Sequence, residues 1–147
     1  MARVLDLYDH PPADGRVVCV DEFGPLNLQP RPGRGWFTAR RPRRLRATYR
    51  RTQGVRHMSG ALRSGQLYYR IPDRKRWTEF LAFLKSLRAR WPGRKLSLIW
   101  DNYSVHKRAE VKAWCTANAV ELVFLPTYSS WLNRIECEFA ALRYFAL

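Results

Sequence analysis

The chain has 147 residues, 46% of them hydrophobic and 14% aromatic, and a formal net charge of +15. That length suits one domain with a core of its own, and that composition excludes a disordered chain. No apolar run reaches the roughly 20 residues of a membrane span, and the N-terminus has no signal-peptide core, so a cytoplasmic protein is expected.

Residues 1–15 contain Pro11-Pro12 and the turn pair Asp14-Gly15, and read as a lead-in segment ahead of a domain spanning residues 16–147. Arg16 to Phe23 is a β-branched apolar run ending in Asp21 and Glu22, a buried strand with its acids at the carboxyl end. Period-two alternation puts Asp21 on the face of Val17, Cys19 and Phe23, with Glu22 opposite. Gly24-Pro25 is expected to stop this strand.

From Gly24 to Pro72 there is no Asp or Glu, while arginines crowd the same span. Arg40, Arg41, Arg43, Arg44, Arg46, Arg50 and Arg51 are its densest part. Such a one-signed field repels itself unless a polyanion neutralises it, which points to nucleic acid. A solvated basic face is the plainer alternative.

Gly54 to Leu62 and Gln66 to Ile71 are two short strands joined at Ser64-Gly65 in a hairpin. Pro72-Asp73 opens a helix with Asp73 as its cap and Trp77, Phe80, Leu81, Leu84 and Leu87 as its buried stripe. Leu96 to Trp100 is a further buried strand, ending in Asp101 and Asn102. A turn would explain that polar pair equally well at this point. A helix is predicted from Val105 to Asn118, with Ser104 as cap and Val111, Trp114 and Cys115 facing inward. A strand comes next at Val120–Leu125, and a last helix from Trp131 with Leu132, Ile135, Phe139, Leu142 and Ala146 as its stripe. Cys19, Cys115 and Cys137 show no Cys-x-x-Cys spacing, which argues against zinc or disulfides and makes them small core residues.

The order is strand, two hairpin strands, helix, strand, helix, strand, helix. It predicts an α/β domain of ribonuclease-H-like fold, a mixed five-stranded sheet with helices on its faces. If the strands ending in Asp21 and Asp101 lie side by side and parallel, their carboxylates become neighbours. Glu136, at the edge of the last helix's apolar stripe, can supply a third, while Glu138 should face solvent. A solvated surface acid is the commoner fate of a helical Glu. Clustered carboxylates repel unless cations sit between them, and hard oxygen ligands suit Mg²⁺ or Mn²⁺. Two such ions would support cleavage or transfer of a phosphodiester.

Three blocks carry a family resemblance: VVCVDEFG around Asp21, LIWDNYSVHK around Asp101 and LPTYSSWLNRIECEF around Glu136. Thirty-four residues, 102 through 135, separate the last two acids. The chain resembles the catalytic domain of DDE transposases, in the bacterial insertion-sequence group related to mariner elements, also known as DDE-superfamily endonucleases. The resemblance implies that Asp21, Asp101 and Glu136 are metal-binding catalytic acids. Asn102, His106 and Asn133 also match and take supporting roles near the metals or DNA. Tyr128 and Ser129 match in the loop that presents Glu136, whereas Ser130 and Arg134 stand where many relatives carry Pro.

The function so implied is metal-dependent DNA cleavage and strand transfer, with element ends and target DNA as partners and a homodimer or a full-length transposase as the working assembly. The alternatives are a DNA-binding or regulatory remnant and a stand-alone nuclease of the same fold. Such transposases carry an N-terminal helix-turn-helix domain, so the expectation is a catalytic domain without that reader and with a shortened C-terminus.

Overall fold

The structure is a computed structural model that describes residues 1–27, 36, 38–40 and 54–145. Strands β1 (Gly15–Asn27), β2 (Val55–Arg63), β3 (Gln66–Arg70), β4 (Lys95–Trp100) and β5 (Val120–Phe124) form one sheet in the order β3-β2-β1-β4-β5. The first three are antiparallel neighbours, and β4 and β5 join β1 in parallel through helical crossovers. The expected mixed sheet of ribonuclease-H type is therefore the observed one.

Period-two alternation divides the core into two layers. Val18 and Val20 of β1, with Leu96, Leu98 and Trp100 of β4, pack beneath α2 (Trp77–Arg90) and α3 (Ala109–Ala117). Cys19 and Phe23 of β1, with Ile99 of β4, face α1 (Ala2–Asp9) and α4 (Ile135–Phe145) instead. Asp21 has the parity of Cys19 and Phe23, so its strand directs it towards the α4 side. The hairpin between β2 and β3 turns on Ser64 and Gly65, both at positive φ (48° and 74°), as a two-residue turn of matching twist requires. Gly60 of β2 lets α4 lie close, because a Cβ there would sit 2.9 Å from the Phe139 ring.

Several local expectations are corrected. Residues 1–15 are not a bare lead-in: α1 buries Val4 and Leu7 against β1 and β5, and only Pro11-Pro12 ends it. Eight residues are too few to hold a helix by propensity, so tertiary burial decides this one. Gly24-Pro25 does not stop β1; a shift of register between Phe23 and Leu26 absorbs the missing donor and the strand runs on to Asn27. Asp73 does not cap α2, whose N-cap position is Arg76; Asp73 pairs with Arg56 of β2 instead. Phe83 joins the buried stripe of that helix, where Leu81 is only half-buried.

The helix expected from Val105 is split into a 3-10 turn, Ser104–Lys107, and α3, with Arg108 extended between them. The last helix likewise begins later than Trp131, after a 3-10 turn at Ser130–Leu132 and an extended Asn133. In both places a polar side chain, His106 or Asn133, is turned into the interior. Cys19 and Cys115 are buried as expected, but Cys137 is exposed. Ala146 lies outside the described residues. Among the described residues no helix is long and apolar enough to cross a membrane.

If α1 is part of the core, Leu7→Ala should cost about 2–5 kcal/mol in urea denaturation. A change below about 0.5 kcal/mol, the usual effect of a surface substitution, would return residues 1–15 to a lead-in.

Candidate active site

β1 and β4 run parallel in the register Gly15↔Lys95 through Cys19↔Ile99. Two residues further along, each chain segment carries an acid: Asp21, still within β1, and Asp101, immediately past Trp100. The parallel register brings them to the same edge of the sheet, at the carboxyl ends of the strands, where open α/β sheets place their sites. Glu136 lies in the first turn of α4. It is exposed and Glu138 half-buried, the reverse of the exposure expected for the pair.

Asp21 is the most enclosed of the three, with 8% of its surface exposed. Its Oδ1 accepts the Glu22 amide at 2.7 Å, and its Oδ2 accepts from Asn133 Nδ2 at 3.1 Å. The same Asn133 nitrogen donates to the Val20 carbonyl at 2.9 Å, so a single amide fixes both strand and carboxylate. Burial is the main force raising the Asp21 carboxyl. The Glu22 amide and Asn133 oppose it, the Asp101 and Glu136 carboxylates add to it, and the group is pushed up to about 6. Both other acids therefore act on Asp21 through space.

Asp101 is half-buried beside His106, whose Nδ1 lies 2.9 Å from Asp101 Oδ1. The imidazole is 1% exposed and packed against the rings of Phe80 at 4.2 Å and Trp100 at 4.8 Å. His106 Nδ1 and Asp101 Oδ1 are within hydrogen-bonding distance but are not aligned as a well-formed hydrogen bond. Burial raises the Asp101 carboxyl, but His106, the Tyr103 amide at 3.3 Å and Lys75 outweigh it and hold the group below the ordinary carboxylate range. The two neighbouring acids are thus pushed in opposite directions by their surroundings.

Of the supporting residues, Asn133 and His106 each touch one acid, while Asn102 is exposed on the turn after Asp101. Tyr128 is fully exposed at φ 60° and packs against nothing that would shape the loop. Arg40 is exposed, and Arg41, Arg43, Arg44, Arg46, Arg50 and Arg51 lie outside the described residues. Sequence reasoning missed Lys75, which pairs with Glu22 at 2.5 Å and lies 4.8 Å over the Tyr103 ring. No periodicity or motif singles it out.

The donor set suits a hard divalent cation: carboxylate oxygens that repel one another, with no thiol among them. Burial first, and then the Asp101 and Glu136 carboxylates, disfavour the charged form of Asp21, and a bound cation would favour it. Among the described residues no three His, Cys, Asp or Glu side chains converge closely enough to hold one ion.

This sheet, with acids at the carboxyl ends of adjacent parallel strands, defines a domain of ribonuclease-H-like fold. The DDE superfamily endonuclease family matches residues 16–146, and the chain belongs to that family. It is 30% identical over 145 residues to the insertion element IS630 uncharacterized 39 kDa protein of Shigella sonnei, covering 92% of this chain and 40% of that protein. The fold is also that of the Mos1 strand transfer complex (TM-score 0.71, 18% identity, 97% of this chain and 44% of that one). A pre-cleavage Mos1 transpososome gives a TM-score of 0.72 at 16% identity, over 97% of this chain and 46% of that one. The chain thus spans less than half the length of each of these relatives.

In metal-free protein one carboxyl should titrate near pH 6 in carbon-detected NMR, and Asp21→Asn should remove it. Because the folded value lies above the unfolded one, Asp21 favours folding while protonated. Its contribution is present below about pH 4 and is lost as pH rises through about 6. Denaturation midpoints of the wild type should fall across that window, and those of Asp21→Asn should fall less. A wild-type midpoint that rises from about pH 4 to 6 as steeply as the variant's would contradict this.

Proposed function

We propose that this domain is the catalytic core of an insertion-sequence transposase, cutting DNA at element ends and joining 3′-hydroxyls to target DNA. The observation that carries the reading is the convergence of Asp21 and Asp101 at one edge of parallel β1 and β4, with Glu136 near enough to raise the Asp21 carboxyl. Family membership supports it, since enzymes of this superfamily use divalent metals.

Asp21, Asp101 and Glu136 would hold Mg²⁺ or Mn²⁺, two ions in the full site. Bound there, the ions would polarise the phosphodiester and activate a water or a 3′-hydroxyl. The residues of the chain have separate tasks. Asn133 holds the Asp21 carboxylate in one orientation through Oδ2 and ties it to the Val20 carbonyl. His106, walled by Phe80 and Trp100, sets Asp101 from beneath. Such outer contacts orient the oxygens that receive a cation. The arginines between Gly24 and Pro72 supply phosphate contacts whose affinity falls with salt.

That charge fits a nucleic acid, and family membership supports DNA as the substrate, with the element ends and the target as the two strand sources. Acting on two ends would take two copies of the chain or a full-length transposase as partner, in the bacterial cytoplasm where the element resides.

Mn²⁺-dependent nicking of supercoiled plasmid should vanish in Asp101→Asn while gel-shift affinity for DNA is kept. Asn133→Ala should slow nicking by roughly 10–100-fold. Undiminished nicking by Asp101→Asn would rule out this assignment of the acids.

A further inference from the structure

The backbone ladder between β1 and β4 ends at Cys19↔Ile99, two residues short of the acids. Beyond that point no described β1–β4 backbone pair sets the distance between Asp21 and Asp101. A side chain from a third segment spans the gap. Lys75, in the connection between β3 and α2, puts its Nζ 2.5 Å from Glu22 Oε2, on the residue after Asp21. The same ammonium lies 4.8 Å from the centre of the Tyr103 ring, two residues after Asp101.

The two ends of this bridge differ in enclosure, with the Tyr103 residue 45% exposed. The Glu22 side chain is only 12% exposed, so its carboxylate is committed to the pair and not shared with bulk water. Tyr103 donates its amide to Asp101 Oδ1 at 3.3 Å, and its ring meets His106 edge-on at 5.7 Å. His106 in turn lies 2.9 Å from the same Asp101 oxygen. The connection carrying Lys75 is itself tied to the sheet by Asp73, which pairs with Arg56 of β2. A cation held between a carboxylate and a ring face is attracted at both ends, and partial burial strengthens each attraction.

We propose that Lys75 is a positioning residue that clamps the Asp101 turn to the Asp21 strand and so sets the gap across which the two carboxylates share cations. The part about cations rests on the reading of the acids given above; the clamp itself does not. Lys75 sets this spacing through Glu22 and Tyr103, apart from the direct effect of its charge on Asp101, and needs no contact with DNA.

The test uses the full chain with Lys75→Met and Lys75→Arg, both checked for an unchanged fold by thermal melting. In metal-free protein, hydrogen exchange of the amides from residue 101 to 107 should be faster in Lys75→Met and close to wild type in Lys75→Arg, whose guanidinium keeps the charge and stacks on a ring. Mn²⁺ binding, followed by the electron spin resonance of the free ion, should weaken about tenfold or more in Lys75→Met and recover in Lys75→Arg. Should Lys75→Met fail to fold, Tyr103→Leu removes the other end of the clamp and should give the same faster exchange.

Unchanged exchange in a folded Lys75→Met or Tyr103→Leu overturns the proposal. So does unchanged Mn²⁺ affinity combined with a salt dependence of DNA binding reduced by about one unit, which would mark Lys75 as a phosphate contact. If the wild type binds no Mn²⁺, the ion reading fails, and the exchange difference alone decides the clamp.

Discussion

The parallel pairing of Gly15–Cys19 with Lys95–Ile99 is the constraint on which the rest depends. Two carboxylates repel, and nothing in either strand by itself would bring Asp21 to Asp101. The ladder does so because its hydrogen bonds and the apolar layers on both faces are indifferent to the residues beyond the last pair. Val18 and Val20 are fully buried under one pair of helices, while Cys19 and Phe23 are buried under the other. That burial, at about 25 cal/mol per Å² of apolar surface, holds the register in which the acids are forced together.

The consequence appears in how differently the two aspartates are treated. Asp21 is enclosed and pushed up to about 6, while Asp101 is held below its ordinary range by His106, the Tyr103 amide and Lys75. Each is oriented by a buried polar partner, Asn133 for one and His106 for the other. Those partners also explain the two irregular stretches of the fold. The 3-10 turns before α3 and α4 interrupt what would be longer helices, and each interruption turns one polar side chain inward.

Much of this was legible before any coordinates. Alternation in β1 assigned Asp21 and Glu22 to opposite faces, and both faces are as expected because a pleat with two buried sides leaves no other register. The hairpin at Ser64-Gly65 arises from backbone chemistry that is local to those residues. Less was legible wherever the deciding partner lay far along the chain. Val4 and Leu7 look like a scrap of apolar pattern until β1 and β5 are present to cover them. Asp73 looks like a helix cap until Arg56, from a different strand, competes for it. Glu136 and Glu138 exchange their expected exposures, which neighbours from other elements decide.

The amino-acid sequence by itself determined the sheet's composition and the two-sided burial of its central strands, with Asp21 and Asp101 at their ends, since period-two alternation and an acid closing an apolar run are properties of neighbouring residues. Membership of the DDE superfamily endonucleases rests on the same short-range blocks. Only the tertiary structure decided that α1 belongs to the core, that Asn133 holds Asp21, and that Lys75 bridges Glu22 to Tyr103. Those contacts join residues up to 112 positions apart or rest on packing against distant strands. Their energies depend on distances in space, which the order of residues along a chain does not state.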